Sequence, residues 1–160
     1  MRLRFRHLAA FTTFLTGLLI LLGVYTAASG SGAACGLDWP FCNGRLLPLT
    51  ASGQLDLPSF IEWFHRLVAM VAGFFILGTV AGAWRNYDGG HIRWTAVLAL
   101  VFTPVQIILG AMTVRVDLFP FAYSPAVQTI HHAAAMLIFA FLLLATVWIY
   151  DADGAGPTAG

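Results

Sequence analysis

Three ionisable residues stand close together at the start of a long apolar segment: Glu62, His65 and Arg66, in the run Glu-Trp-Phe-His-Arg. A charged side chain inside a membrane helix costs roughly 2.5–3.5 kcal/mol on insertion scales, so a functional reason for its presence is expected. Glu62 and His65 are three residues apart and therefore share one helix face. The carboxylate can orient the imidazole, accept a proton or stabilise positive charge on a substrate. The alternative is a capping box formed by Ser59 and Glu62.

His65 and His131 are predicted to lie at equal depth in two different helices. Each follows the expected start of its segment by about five residues, or about 8 Å along an α-helix. Two imidazoles on facing helices can hold one metal centre, for which bis-histidine haem is the candidate in a membrane bundle. The alternative is a pair of histidines that form interhelical hydrogen bonds. His132 points about 100° away from His131, so only one of these two faces the centre, and helical spacing does not decide which.

Arg66 directly follows His65 and is expected near the outer membrane surface. Its guanidinium can pair with a haem propionate, since arginine binds carboxylates through charge-assisted hydrogen bonds. The alternative is a side chain that snorkels to the membrane interface.

The two cysteines, Cys35 and Cys42, frame the segment Gly-Leu-Asp-Trp-Pro-Phe between the first two apolar stretches. An extracytoplasmic position is oxidising, so a disulfide that closes this short loop is predicted. The spacing is not that of a Cys-x-x-Cys redox motif, and no cation flanks the pair. A zinc site would need ligands that this loop lacks.

The composition requires a membrane to surround these residues. Hydrophobic residues make up 59% of the 160 residues, charged residues only 9%, and the mean hydropathy is +0.83. A soluble domain carries roughly 25% charged residues. The net charge is +1 without a single lysine, so no basic stripe for nucleic acid is present.

The predicted fold is an all-α membrane protein, a four-transmembrane-helix bundle in one domain over residues 1–150. Its spans are expected at about 8–28, 60–84, 94–114 and 126–150, each long enough to cross the hydrocarbon core. Residues 29–59 form an outer loop, and the Gly-rich segment 151–160 is predicted to be a disordered tail. The first span is expected to be retained, because it is long for a signal peptide.

Arginine distribution predicts a multi-pass protein of the cell membrane with both termini cytoplasmic and the cysteine loop extracytoplasmic. The opposite side holds Arg45, Arg66 and Arg115. The arginines assigned to the cytoplasmic side are Arg2, Arg4, Arg6, Arg85 and Arg93.

Taken together, the motifs resemble the haem A synthase family over nearly the whole chain. The segments that carry the resemblance are Gly30-Ser31-Gly32, the stretch from Cys35 to Gly44 (Cys-Gly-Leu-Asp-Trp-Pro-Phe-Cys-Asn-Gly), Glu62-Trp-Phe-His65-Arg66, the run Gln106-Ile-Ile-Leu-Gly110-Ala-Met-Thr113, and the histidine of the fourth span. The cysteine loop followed by Glu-x-x-His-Arg is a specific combination, whereas each motif alone is weak.

The resemblance implies a membrane oxidoreductase that oxidises a methyl group of haem O to the formyl group of haem A, through successive hydroxylations. It implies a catalytic Glu62, haem ligands His65 and His131, and a disulfide between Cys35 and Cys42. His131 fits the family's spacing from Pro125 and Val127 better than His132, which stays the alternative ligand.

Typical members of the family have eight helices in two related halves, and this chain resembles the first half only. Two copies are therefore expected to associate, with haem b as a further cofactor, and a single-haem mechanism is the alternative. Expected partners are the haem substrate, membrane lipid, a haem O synthase and an electron acceptor.

Two other functions compete with the synthase on the same residues. The first is a b-type cytochrome that holds a redox haem between His65 and His131 without altering it. The second is a four-helix thiol oxidase, which normally needs a second cysteine pair that this chain does not have.

Overall fold

The chain folds into four long α-helices in a computed structural model that describes residues 2–36, 38–50, 53–88, 90–114 and 124–154. The helices are α1 (Arg2–Ala28), α2 (Leu57–Asn86), α3 (Gly90–Val114) and α4 (Pro125–Gly154). Each contains a stretch long and apolar enough to cross a membrane, with hydropathy between 2.0 and 2.3. The predicted all-α fold with four spans is confirmed, and the described residues contain no β-strand.

The helices form a bundle in which each helix packs against the next one in the chain. Helix α1 also packs against α4, which closes the bundle. Helix α1 packs against α2 and α4, and α3 packs against α2 and α4. Within the described residues α2 does not contact α4, so these two helices lie on a diagonal across the bundle centre. Phe5, Tyr87 and Ile149 share one buried cluster, which puts the start of α1, the α2–α3 connection and the end of α4 at the same end. The side of the membrane that this end faces stays a prediction.

This end, which we call the terminal end, is closely packed. Ala9, Ala83 and Ala96 are fully buried there, and small residues allow helices to approach closely in a membrane. At Gly82 a Cβ atom would lie 2.0 Å from the ring of Phe5, so no larger residue fits without displacing that ring. Small side chains thus allow the large buried ones, Phe5 and Ile149 among them, to pack closely at this end.

Paired threonine hydroxyls join α1 to its two neighbours. Thr12 Oγ1 lies 3.0 Å from Thr79 Oγ1 on α2, and Thr13 Oγ1 lies 2.9 Å from Thr146 Oγ1 on α4. Such interhelical hydrogen bonds average about 0.6 kcal/mol each in membrane bundles. They position α1 against α2 and α4 in the middle of the bundle.

Several helix ends extend beyond the predicted spans, because apolar composition marks the hydrocarbon core whereas the helices continue into the polar flanks. Helix α1 includes the arginines from Arg2 onward, and α4 continues through 151–154, four residues into the segment predicted to be a tail. There Tyr87 Oη donates to Asp153 Oδ1 at 2.8 Å. Residues 115–123, which include Arg115 and connect α3 to α4, and residues 155–160 of the tail lie outside the described residues.

The half of the bundle nearer the cysteine loop is less buried than the terminal end. No residue is fully buried in the segments 17–25 of α1, 63–71 of α2, 100–114 of α3 and 128–133 of α4. These four segments form a half-buried layer, which lies between the tightly packed terminal end and the outer loop.

Candidate functional site

Glu62 lies on the loop side of the half-buried layer, and both of its carboxylate oxygens accept hydrogen bonds. The residue is 2% exposed, and its Oε2 accepts a hydrogen bond from the backbone N–H of Cys35 at 2.7 Å. Its Oε1 accepts from Arg66 Nη2, one helical turn further along α2. A buried carboxylate is thereby paired with a cation and a backbone donor, as burial of a charge requires.

The predicted capping box of Ser59 and Glu62 is wrong. Helix α2 begins at Leu57 with Asp56 as its N-cap residue, so Ser59 already lies inside the first turn. Its hydroxyl donates to Asp56 Oδ2 at 2.6 Å. Glu62 comes too late to reach the cap and is free to bind the outer loop and Arg66.

Arg66 ties the outer loop to α2. Its Nη2 donates both to Glu62 and to the carbonyl oxygen of Gly36. Gly36 has a positive φ of 60°, a turn conformation that glycine adopts without strain. The Arg66 side chain is only 17% exposed, so it does not extend into solvent as a snorkelling residue would.

Cys35 and Cys42 form the predicted disulfide, and each is 1% exposed. Their Sγ atoms lie 3.2 Å and 3.8 Å from the carbonyl oxygen of Ser59, in the first turn of α2. Both cysteines of the chain are joined in this disulfide, so neither can act as a free redox thiol or as a thiolate metal ligand. Within the described residues no group of three or more histidine, cysteine or acidic side chains could hold a metal ion.

His65 faces α1 across a glycine. A Cβ atom at Gly23 would lie 3.0 Å from His65 Cε1, so the imidazole fits only because position 23 has no side chain. The His65 Nδ1 atom is buried and has no hydrogen-bond partner among the described residues. A buried polar atom without a partner calls for a physical reason, and a ligand that binds there is one.

His131 occupies the corresponding place between α3 and α4. A Cβ atom at Gly110 would lie 3.4 Å from His131 Cε1, and the amide nitrogen of Gln106 lies 3.2 Å from His131 Nε2. The interhelical hydrogen bond named as the alternative to ligation thus exists for His131. His132 is turned away, with its ring perpendicular to that of His131 and its Nδ1 atom 2.7 Å from the carbonyl oxygen of Gln128.

The two histidines therefore stand on α2 and α4, the helices that face each other across the bundle centre. His65 lies eight residues after Leu57, and His131 six residues after Pro125. The helical rise makes these depths about 12 and 9 Å, close to the predicted match.

These features fit a flat, apolar group with a metal at its centre. The Nδ1 atoms of His65 and His131 are buried without a partner among the described residues, and neutral imidazole nitrogens can supply axial ligands to a haem. Glu62 and Arg66 lie on the loop side of the half-buried layer. Haem is therefore a group that the residues present can accommodate.

Sequence reasoning missed two contributors to this site and left a third without a role. Gly23 lies in an apolar run and gives no signal, and Gly36 acts through its backbone oxygen. Gln106 was singled out only as part of a motif. The sequence did indicate a role for it, because an amide inside an apolar span is costly and points to a polar partner.

Comparison with known proteins shows the family of the chain. Residues 6–159 match the family described as COX15-CtaA, cytochrome oxidase assembly protein. The chain belongs to the COX15-CtaA family. The resemblance predicted from the motifs is thus confirmed at the level of the family, and most of the chain takes part in it.

The curated relatives include haem A synthases of Bacillus species. The haem A synthase of Bacillus licheniformis is 34% identical over 151 residues, covering 92% of this chain and 46% of the relative. That of Bacillus pumilus is 27% identical over 154 residues, covering 95% and 47%, respectively. That of Bacillus cereus strain AH187 is 34% identical, covering 94% and 46%. The chain spans about half the length of these relatives, and no solved structure matches it.

Proposed function

We propose that this chain acts as a haem A synthase, which oxidises a methyl group of haem O to the formyl group of haem A within the membrane. The observation that carries the proposal is the pair His65 and His131 on diagonal helices, each with a buried Nδ1 atom that has no partner among the described residues, in a half-buried layer bordered by Glu62. The haem A synthases of Bacillus among its relatives support the same activity.

In this proposal His65 and His131 hold the haem iron through their ring nitrogens. When bound, haem supplies both the methyl group to be oxidised and a redox-active iron. His132 is the alternative to His131, and its Nδ1 bond to a backbone carbonyl is a pattern common in metal-ligating histidines. His131 is preferred over His132 because it fits the family spacing and its ring packs against Gly110 on α3.

Glu62 is the proposed catalytic residue. Loss of electrons from the methyl group develops positive charge on that carbon, which a fixed carboxylate in a water-poor site stabilises. Cys35 N–H and Arg66 hold the carboxylate in one place, so it need not reorganise during the reaction. This clamped acid favours the synthase over a b-type electron-transfer protein, which needs only the two histidines.

Arg66 and the oligomer complete the proposal. Both contacts of Arg66 to described residues use Nη2, which leaves Nη1 and Nε to bind a haem propionate. The proposal includes two associated copies of the chain, with haem b as a further cofactor. The cell membrane, an extracytoplasmic cysteine loop, cytoplasmic termini, and haem O synthase and an electron acceptor as partners belong to the same proposal.

Pigment extraction after incubation with haem O tests the proposed activity. Purified protein in lipid is expected to yield hydroxylated and formyl haem, separable by chromatography and mass spectrometry. Glu62→Gln is expected to lower product formation about 10²-fold, the effect of removing one preorganised charge. The matched control is Asp56→Asn, which changes another acidic residue at the same helix start and should keep most of the activity. Recovery of unchanged haem alone would favour the electron carrier, and full turnover by Glu62→Gln would remove that residue from the chemistry.

A further inference from the structure

The last part of the outer loop, just before α2, is a short hairpin that the proposed function does not use. The backbone N–H of Asp56 donates to the carbonyl oxygen of Pro48 at 3.0 Å. Next to this bond, Leu49 and Leu55 form an isolated antiparallel bridge. The two ends of the segment between Pro48 and Asp56 therefore run side by side in opposite directions. We call this segment the leucine hairpin.

The two faces of the leucine hairpin differ in exposure. Backbone hydrogen bonds join the residues on both sides of the Leu49–Leu55 pair, so these two side chains lie close together on one face. They are 39% and 50% exposed. Their neighbours point to the other face, since side chains alternate along an extended chain. On that inner face Pro48 is buried and Asp56 is half-buried.

The inner face is tied to the first turn of α2. Asp56 Oδ2 accepts a hydrogen bond from the Ser59 hydroxyl, and the carbonyl oxygen of Ser59 contacts both sulfur atoms of the disulfide. Asp56 is also the N-cap residue at which the hairpin passes into α2. Turning the leucines inward would break these contacts, so the exposure of the leucines follows from the structure of the loop.

The outward face, which we call the leucine face, has the composition of a surface that contacts lipid. Between Arg45 and Asp56 the chain contains four leucines and no ionisable residue. Leu57, the first residue of α2, is 58% exposed and continues the leucine face into a membrane-spanning helix. Contiguous exposed apolar residues mark sites that bind a membrane or another protein. A protein interface normally has a polar rim, and this face has no charged residue to provide one.

The position and the area of the leucine face also favour lipid. The apolar span of α2 is predicted to begin near residue 60, which Leu57 precedes by three residues, or about 4.5 Å along the helix. The headgroup region extends about 5–8 Å beyond the hydrocarbon core on each side. The leucines offer a few hundred Å², below the roughly 800 Å² that a stable protein interface covers on each partner. We propose that the leucine face inserts into the lipid leaflet on the loop side of the membrane, among the headgroups and upper acyl chains.

Fluorescent labels at single positions of the full chain in lipid nanodiscs test this contact. Both native cysteines are joined in the disulfide, so an introduced cysteine is the only free thiol. Leu55→Cys and Leu57→Cys carry a nitrobenzoxadiazole label on the leucine face. Gln54→Cys is the matched control, because its neighbouring side chain points to the other face and is exposed. The mass of each labelled protein verifies one label per chain and an intact disulfide.

Two quenchers distinguish lipid from water and from protein. In nanodiscs whose lipids carry bromine on the acyl chains, the labels at positions 55 and 57 are expected to lose about half of their fluorescence, since an inserted apolar face reaches about 5–10 Å into the boundary of headgroups and acyl chains. Iodide in the buffer should quench neither of them. The label at position 54 should be quenched by iodide and unaffected by the brominated lipid.

Three results would overturn the proposal. Equal quenching by brominated lipid at positions 54 and 55 would show that the two faces do not differ. Quenching by iodide at positions 54, 55 and 57 alike would leave the leucine face in water. Labels at 55 and 57 that neither quencher reaches would show that protein, such as a second copy of the chain, covers this face. No haem is needed for the measurement, so the proposal is tested independently of the proposed function.

Discussion

At the scale of residues, two glycines lie against the histidine rings. A Cβ atom at Gly23 on α1 would lie 3.0 Å from the ring of His65, and one at Gly110 on α3 would lie 3.4 Å from the ring of His131. Each imidazole thus packs against the neighbouring helix. The histidines were predictable, because polar residues in apolar spans attract notice. Gly23 was not, because its contribution is the absence of a side chain.

Gly23→Ala is expected to displace the His65 ring and weaken haem binding about tenfold, since overpacking costs about 1–3 kcal/mol. The helix itself should tolerate alanine, which has the higher helix propensity. Titration with haem, followed by absorbance, measures the affinity. Gly73→Ala is the matched control, because nothing lies within 4 Å of a Cβ atom there. Equal affinities of the two variants would show that the Gly23 contact is irrelevant to the site.

At the scale of elements, the outer loop and the first turns of α2 form one unit. The disulfide lies on the carbonyl of Ser59, and Arg66 joins Gly36 to Glu62. The disulfide was predicted from an oxidising compartment and confirmed. The contacts of Glu62 and Arg66 with the outer loop could not be predicted, because Cys35 N–H and the Gly36 carbonyl are backbone groups that leave no pattern in the sequence. The capping box failed for a related reason: it assumed that α2 begins later than Leu57.

Replacing both cysteines by serine is expected to lower the free energy of unfolding by about 2–3 kcal/mol, the loop-closure effect of a short bridge. Product formation from haem O should fall as well, because Cys35 N–H no longer holds Glu62 in place. Thermal unfolding and product analysis of the variant measure the two effects. Wild type treated with a reductant that opens the bridge serves as the comparison and should show the same two losses. Unchanged stability and turnover in both samples would show that the disulfide of the outer loop contributes neither to folding nor to the position of Glu62.

At the scale of the whole molecule, the bundle is closely packed at the terminal end and only half-buried nearer the cysteine loop. Hydropathy and length predicted the four spans, since both follow directly from the apolar core of a membrane. The half-buried layer was not predictable, because it depends on which side chains meet across the bundle. His65 and His131, the proposed pair of ligands, both lie within this layer.

The optical spectrum of haem bound by wild type, His65→Ala and His131→Ala tests most directly whether these two histidines share one haem. His91→Ala is the control, because His91 packs against Trp148 at the terminal end, away from the layer. The proposed site predicts a low-spin spectrum for wild type and His91→Ala, and loss of that spectrum in each of the other two variants. Low-spin bands that persist unchanged in both His65→Ala and His131→Ala would contradict it.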